Sequence, residues 1–186
     1  MARLIYSAIT SLDGYIEDRA GGFDWAMPEA DVHIFINDLE RGVGTYLYGR
    51  RMYETMAVWE TDPSLAADSP VTWDFASIWR SAAKIVFSRT LRSPSTARTR
   101  IVSYFDPEEV RRLKAEASRS ITIAGPTLAK SAFDAGLIDE LQLFLVPVVV
   151  GAGKPSLPVD GKLGLELVEQ RRFPAGTMYL RYLTGV

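Results

Sequence analysis

Between residues 121 and 158 the chain reads ITIAGPTLAKSAFDAGLIDELQLFLVPVVVGAGKPSLP, and this stretch restricts the fold more than any other. An apolar run, Ile121–Ala124, stops at Gly125-Pro126, and a short helical pattern follows to a stop at Gly136. A second, longer apolar run then leads to Pro147 and Gly151-Ala152-Gly153. The order is strand, glycine turn, helix, strand. A glycine turn that opens a helix leaves backbone N–H groups unpaired at the positive end of the helix dipole, which suits a phosphate. Gly125 has no Cβ, so a ligand can lie against the main chain there. Pro126 fits the first helical position, where its missing N–H costs nothing. The stretch makes a nucleotide-cofactor enzyme the leading reading. An ordinary strand–helix–strand unit with a glycine C-cap accounts for the same spacing without a ligand.

The remainder of the chain alternates in the same way. Leu4–Ile9 reads as a buried strand, Asp13-Gly14 as a turn and Tyr15–Glu17 as a short return strand. Glu29–Arg41 carries Val32, Ile36 and Leu39 at helical spacing, Thr45–Tyr48 is β-rich up to Gly49, and Arg50–Val58 is helical. Asp62–Pro70 reads as a loop. Thr72–Ala82 reads as a helix whose Trp73 and Trp79 face the core. Lys84–Phe87 and Ile101–Tyr104 are further strands, and Asp106-Pro107-Glu108-Glu109 starts a helix with a capping Asp, a Pro and first-turn acids. Residues 163–169 and Thr177–Leu183 have period-two character and form a terminal hairpin. Strands alternating with helices and closed by a hairpin describe one α/β domain over residues 1–186, with a mixed sheet.

Composition removes several functions. Hydrophobic residues make up 47% of 186, enough for a sizeable core. A net charge of −2 without a Lys/Arg run argues against nucleic-acid binding. With no Cys and only His33, thiolate and His-rich metal sites are excluded, and His33 reads as a surface or packing residue. The longest apolar stretch, Leu143–Val150, is far short of a membrane span, and no targeting segment is visible; a soluble cytoplasmic protein is expected.

Three strand ends carry groups suited to a cofactor: Tyr48-Gly49-Arg50-Arg51, Phe87-Ser88-Arg89-Thr90 and Ala124-Gly125-Pro126-Thr127. Ligands of open α/β sheets sit beyond the carboxyl ends of strands, so the three can share one ligand. Arg matches phosphate because its planar fork bonds two oxygens at once, although a solvated surface charge is its usual role. Asp13, just past a buried strand, is the best catalytic candidate: a carboxyl there can bind or protonate a polar substrate, particularly if desolvation raises its pKa. Asp-Gly is equally a common tight-turn signal. Trp25 and Trp59 lie in loop-like segments near strand ends and are candidates to wall a ring-binding pocket.

Six segments in order, S-L-D-G-Y-I (11–16), Y-G-R-R-M-Y-E (48–54), K-I-V-F-S-R-T-L (84–91), I-A-G-P-T-L (123–128), G-L-I-D-E-L (136–141) and P-V-V-V-G-A-G-K-P (147–155), resemble the dihydrofolate reductase-like superfamily. The closer likeness is to the reductase domain of riboflavin-biosynthesis deaminase–reductases and its stand-alone relatives. The resemblance implies a three-layer α/β fold with a mostly parallel central sheet and an antiparallel C-terminal hairpin. It implies NADPH as hydride donor, a small polar and heterocyclic substrate, and a homodimer. Gly49, Arg50 and Arg51 match the turn that holds the cofactor's phosphates, and Ser88, Arg89 and Thr90 the segment around the adenosine ribose and its 2′-phosphate. Gly125, Pro126, Thr127 and Leu128 match the helix N-terminus under the pyrophosphate, and Asp13 the acid of the substrate-side loop. Pro126 replaces the second glycine usual at the pyrophosphate turn, and Ala124 stands where an acid commonly precedes it. The implied reaction is NADPH-dependent reduction of a small substrate. Reduction of 5-amino-6-(5-phosphoribosylamino)uracil is the alternative, then dihydrofolate reduction with Asp31 as acid. A non-catalytic nucleotide-binding dimer is the rival class.

Overall fold

In a computed structural model describing residues 1–185, eight strands form one sheet in the order β5-β4-β3-β6-β1-β7-β10-β9. They are β1 (Leu4–Ser11), β3 (Val43–Gly49), β4 (Ala83–Phe87), β5 (Thr99–Val102), β6 (Ser120–Ala124), β7 (Glu140–Val146), β9 (Leu165–Arg172) and β10 (Met178–Thr184). All pairings from β5 to β7 are parallel, and β10 joins β7 and β9 antiparallel. The five runs read as strands and the terminal hairpin thus share one sheet. A separate two-stranded ribbon pairs β2 (Tyr15–Asp18) with β8 (Gly153–Pro155).

Parallel neighbours need crossover connections, and helices supply them on both faces. On one face lie α1 (Ala30–Glu40), α2 (Arg50–Thr61), α3 (Pro63–Ala67) and α4 (Pro70–Ser81), packed through Val32, Tyr53, Phe75 and Trp79 onto Tyr46, Tyr48, Val86 and Phe144. On the other lie α5 (Pro107–Glu116) and α6 (Pro126–Asp134), whose Val110, Ala129 and Ala132 meet Tyr6, Leu47, Ile85, Ile123 and Leu141. Asp106 caps α5 by accepting from the Glu108 N–H at 2.9 Å, and Ser69 with Thr72 forms a reciprocal capping box on α4.

Several local expectations are corrected. The fifth strand starts at Thr99 and ends at Val102, so Tyr104 lies outside it. As an edge strand paired only with β4, it needs no continuous apolar run, and Thr99 and Arg100 hid its start. Residues 62–70 contain the short helix α3, capped by Asp62, rather than a plain loop. Trp73 is 57% exposed, with the Arg80 guanidinium 5.3 Å from its ring, whereas Trp79 is fully buried and donates to the Tyr48 hydroxyl at 3.1 Å. Six positions on a helix are not a whole number of turns from one stripe. Tyr15–Asp18 does not return along β1; it turns away and pairs with β8.

The helical layer over β3 encloses a polar couple. Glu40 Oε2 and the Tyr46 hydroxyl are both buried, and burial outweighs the neighbouring Tyr46 hydroxyl and pushes the Glu40 carboxyl from 4.5 up to about 7. In that window the folded protein keeps a proton that the unfolded chain has released, so stability declines as pH rises from about 4.5 to 7 and the loss persists above. Glu40→Gln removes the ionisation. Urea unfolding at pH 8 should then show a gain of roughly 1–3 kcal/mol over the wild type, shrinking toward zero at pH 5. An equal effect at both pH values would contradict this account.

Candidate functional site

The carboxyl edge of the sheet is stepped. Gly49 stands opposite Phe87 of β4, and Tyr48 opposite Ala124 of β6, so β4, β3 and β6 end level. The β1–β6 ladder stops at Tyr6↔Ile123, but β1 continues beside β7 to Ser11↔Val146. Beyond the level of Ala124, β1 therefore overhangs from Ala8 to Ser11, about 13 Å at 3.3 Å per residue. The result is a shelf over β4, β3 and β6 walled by the end of β1.

Two helices begin on this shelf and leave toward opposite faces, α2 from Gly49 and α6 from Gly125. Crossovers that diverge between neighbouring strands open a crevice at the carboxyl edge. Neither helix has a side-chain cap, so their first N–H groups have no intrahelical partner and face the shelf. α3, α4 and α5, which start elsewhere, are all capped by side chains. Gly125 adopts φ +87°, a left-handed conformation strained for any other residue, and a Cβ there would sit 3.5 Å from Met52 Cβ on α2. The helix starts are thus close, with Pro126 at the first turn of α6 followed by Thr127 and Leu128.

The arginines read as phosphate ligands occupy this rim. Arg50 bonds Glu54 at 2.7 Å and reaches across to the Thr90 hydroxyl at 3.0 Å, joining the ends of β3 and β4. Arg51 Nη2 lies 3.8 Å from Glu17 on β2. Arg89 is exposed and forms no ion pair among the described residues. The Ser88 hydroxyl accepts from the N–H groups of Thr90 and Leu91 at 3.2 and 3.0 Å and so shapes its own turn. Sequence motifs separated by dozens of residues are brought onto one shelf by strand order.

Asp13 needs a correction. It is exposed at the top of β1, and its carboxylate accepts from Ser11 Oγ at 2.7 Å, Gly151 N–H at 2.7 Å and Val150 N–H at 3.2 Å. Chiefly the Ser11 hydroxyl, then the Gly151 and Val150 amides, hold its pKa below the usual carboxylate value, opposite to the expected rise. These hydrogen bonds tie the β1 turn to the loop after β7. Close by, a Cβ on Gly153 would fall 1.8 Å from the Glu17 carbonyl oxygen, so the β2–β8 ribbon also requires glycine.

The two tryptophans separate. Trp59 is on α2, not a loop, nine residues or about 13 Å along the helix from Arg50, and packs edge-on against Phe75 at 4.8 Å and His33 at 6.0 Å. It takes part in the α1–α2–α4 packing. His33 sits in the same packing, and burial lowers its pKa. Trp25 lies in a 3-10 turn, Asp24–Ala26, against β1; its indole Nε1 is buried without a partner. The β1 overhang was the feature missed by sequence reading. Its signal is that Leu4–Ser11 and Glu140–Val146 outlast the five-residue β6, but relative stagger is not encoded locally. Among the described residues no group of His, Asp and Glu could hold a metal ion, and no helix is long and apolar enough to cross a membrane.

Known proteins resemble this chain in sequence and in fold. A protein of Bacillus subtilis (strain 168), called uncharacterized protein YyaP, is 29% identical over 184 residues, covering 97% of this chain and 94% of its own. A putative riboflavin biosynthesis protein from Shewanella sp. PV-4 superposes with a TM-score of 0.77 at 21% identity, covering all of both chains. A pyrimidine reductase-like protein from Corynebacterium diphtheriae gives 0.66 at 14%, covering 100% of this chain and 92% of that one. The Thermotoga maritima diaminohydroxyphosphoribosylaminopyrimidine deaminase/5-amino-6-(5-phosphoribosylamino)uracil reductase gives 0.64 at 14%, with 99% of this chain matching 57% of its length. At these identities the structures speak for the fold alone. Residues 2–179 match the family model of the RibD C-terminal domain, so with nearly its whole length covered the chain belongs to that family and carries its dihydrofolate reductase-like fold.

Proposed function

We propose that the protein is an NADPH-dependent reductase of a small molecule, acting as one domain over residues 1–186 and as a homodimer. The observation that carries the reading is the shelf: Gly49, Ser88 and Gly125 at the level ends of adjacent strands, with two uncapped helix N-termini converging there. Those groups fit a dinucleotide. The α2 and α6 amides and Arg50 face its pyrophosphate, and unpaired Arg89 has the charge and exposure for a 2′-phosphate. When bound, the dinucleotide supplies a hydride to a C=O or C=N carbon, the double-bond pair moving to oxygen or nitrogen, which takes a proton from water. The chain positions the two ligands, with the β1 overhang and the Asp13-tied loop forming the substrate wall.

Arg89 sets the cofactor preference. A charge-assisted contact to the extra phosphate contributes about 1.5–3 kcal/mol, which is roughly a ten- to hundredfold preference for NADPH over NADH. Arg89→Ala should erase most of that preference and leave NADH affinity nearly unchanged, while Arg50→Ala weakens both cofactors. Titration of both dinucleotides against the three proteins decides; equal wild-type affinities would defeat the assignment.

Asp13 acts by position. Asp13→Ala releases the Val150–Gly151 loop, and kcat/KM should fall about 10- to 100-fold while the NADPH dissociation constant is unchanged. Because the carboxyl is held below its ordinary value, it contributes no step to the kcat profile between pH 5 and 9. Such a step, abolished by the substitution, would restore the acid role.

Pairing follows from the other end of the sheet. Leu165, Leu167 and Val168 are exposed on the edge strand β9, and Leu163 just before it is exposed as well. An open apolar edge favours a two-fold mate. Light scattering should report twice the 20.6 kDa chain mass, and Leu167→Glu should reduce it to that of one chain. A wild-type monomer at micromolar concentration would count against pairing.

A further inference from the structure

The carboxyl edge is divided electrically. Past β3 and β4 the chain supplies Arg50, Arg51, Arg89 and Arg92, with Glu54 the nearby acid. Past β1 the residues from Leu12 to Glu29 carry Asp13, Glu17, Asp18, Asp24 and Glu29 against Arg19 alone, and the loop from Pro147 to Ala152 carries no charge. The acids are held in place. Asp13 accepts the Val150 and Gly151 amides, Asp18 accepts those of Ala20 and Gly22 at 2.8 and 2.9 Å, and Glu17 stands 3.8 Å from Arg51 and opposite Lys154 in the β2–β8 register. The segment past β1 therefore carries an excess of negative charge, which disfavours an anionic ligand.

The same wall is apolar at its rim. Leu12, Phe23, Met27 and Val149 are between 47% and 69% exposed, unusual for side chains of this size. The Leu12 N–H donates to the Val148 carbonyl at 2.7 Å, which sets Leu12 and Val149 together above β1 and β7. Phe23 and Met27 bracket the 3-10 turn, with Trp25 between them holding its indole N–H buried. Exposed apolar side chains in the two segments that follow β1 and β7 mark a surface that a ligand can cover.

We infer that the substrate carries no phosphate or other anionic group and presents an uncharged apolar ring to Leu12, Phe23, Met27 and Val149. The inference rests on the reductase reading and narrows it, for it separates this chain from a reductase of phosphoribosyl compounds. The chemistry is an uncharged aromatic aldehyde, ketone or imine reduced to the alcohol or amine, with NADPH oxidised to NADP⁺ and one proton taken from water.

NADPH oxidation should be followed with naphthaldehyde and with 5-amino-6-(5-phosphoribosylamino)uracil as probes, after NADPH binding has been measured separately. The expected result is a kcat/KM at least about tenfold higher for naphthaldehyde, with Phe23→Ala and Met27→Ala each raising its KM about three- to tenfold at constant NADPH affinity. If neither probe is turned over, tryptophan-fluorescence titration of the NADP⁺-loaded protein makes the same comparison, and no binding of naphthaldehyde overturns the inference. A preference for the phosphoribosyl probe overturns it while leaving the reductase reading intact. Rim variants that change the oligomeric mass but not KM also overturn it, assigning the rim to a second copy. Absence of NADPH binding removes the reductase reading itself.

Discussion

The rest of the molecule depends on where β6 enters the sheet. Inserted between β3 and β1, it sends its helix to the face opposite that of β3's helix, because right-handed crossovers running in opposite directions along a sheet lie on opposite sides. That divergence opens the crevice in which the α2 and α6 N-termini converge. Gly125 is the local requirement: only a residue tolerating φ near +87° lets the chain leave β6 and enter α6 that close to Met52. Pro126, which cannot donate, takes the first-turn position where a donor is dispensable, so the replacement of a second glycine leaves the helix start intact.

Stagger then divides the edge into two chemistries. The level ends of β4, β3 and β6 present amides and guanidinium groups, while the overhanging end of β1 and its neighbour β7 present exposed leucine, valine, phenylalanine and methionine above a set of backbone-bound carboxylates. Asp13 belongs to this second half as a tether. Three donors converge on it and hold the loop after β7 against the turn that follows β1. The chain belongs to the RibD C-terminal domain family over residues 2–179.

Much of this was legible in sequence. Apolar runs bounded by glycine, proline and aspartate located every strand of the parallel part, and Asp106-Pro107 marked the start of α5. Gly49 and Gly125 were visible as strand-to-helix turns because they are local events, fixed by residues within a few positions of one another. Errors fell where burial depends on distant partners. Trp73 and Trp79 carry the same hydrophobic signal, yet one faces water and the other lies under Tyr48. Trp59 looked like a loop residue because the packing that holds it comes from α1 and α4.

The sequence by itself determined the alternation of strands and helices, the glycine turns and the arginines that follow them, since backbone propensity and hydrophobic period act over a few residues. Tertiary structure alone decided that β6 lies between β3 and β1, that β1 outruns it, and that Asp13 meets an amide 138 positions away at Gly151. Strand order and stagger are set by which faces bury together across the whole chain, and a carboxyl's pKa by the donors that this assembly brings to it. Neither quantity exists until the chain has folded.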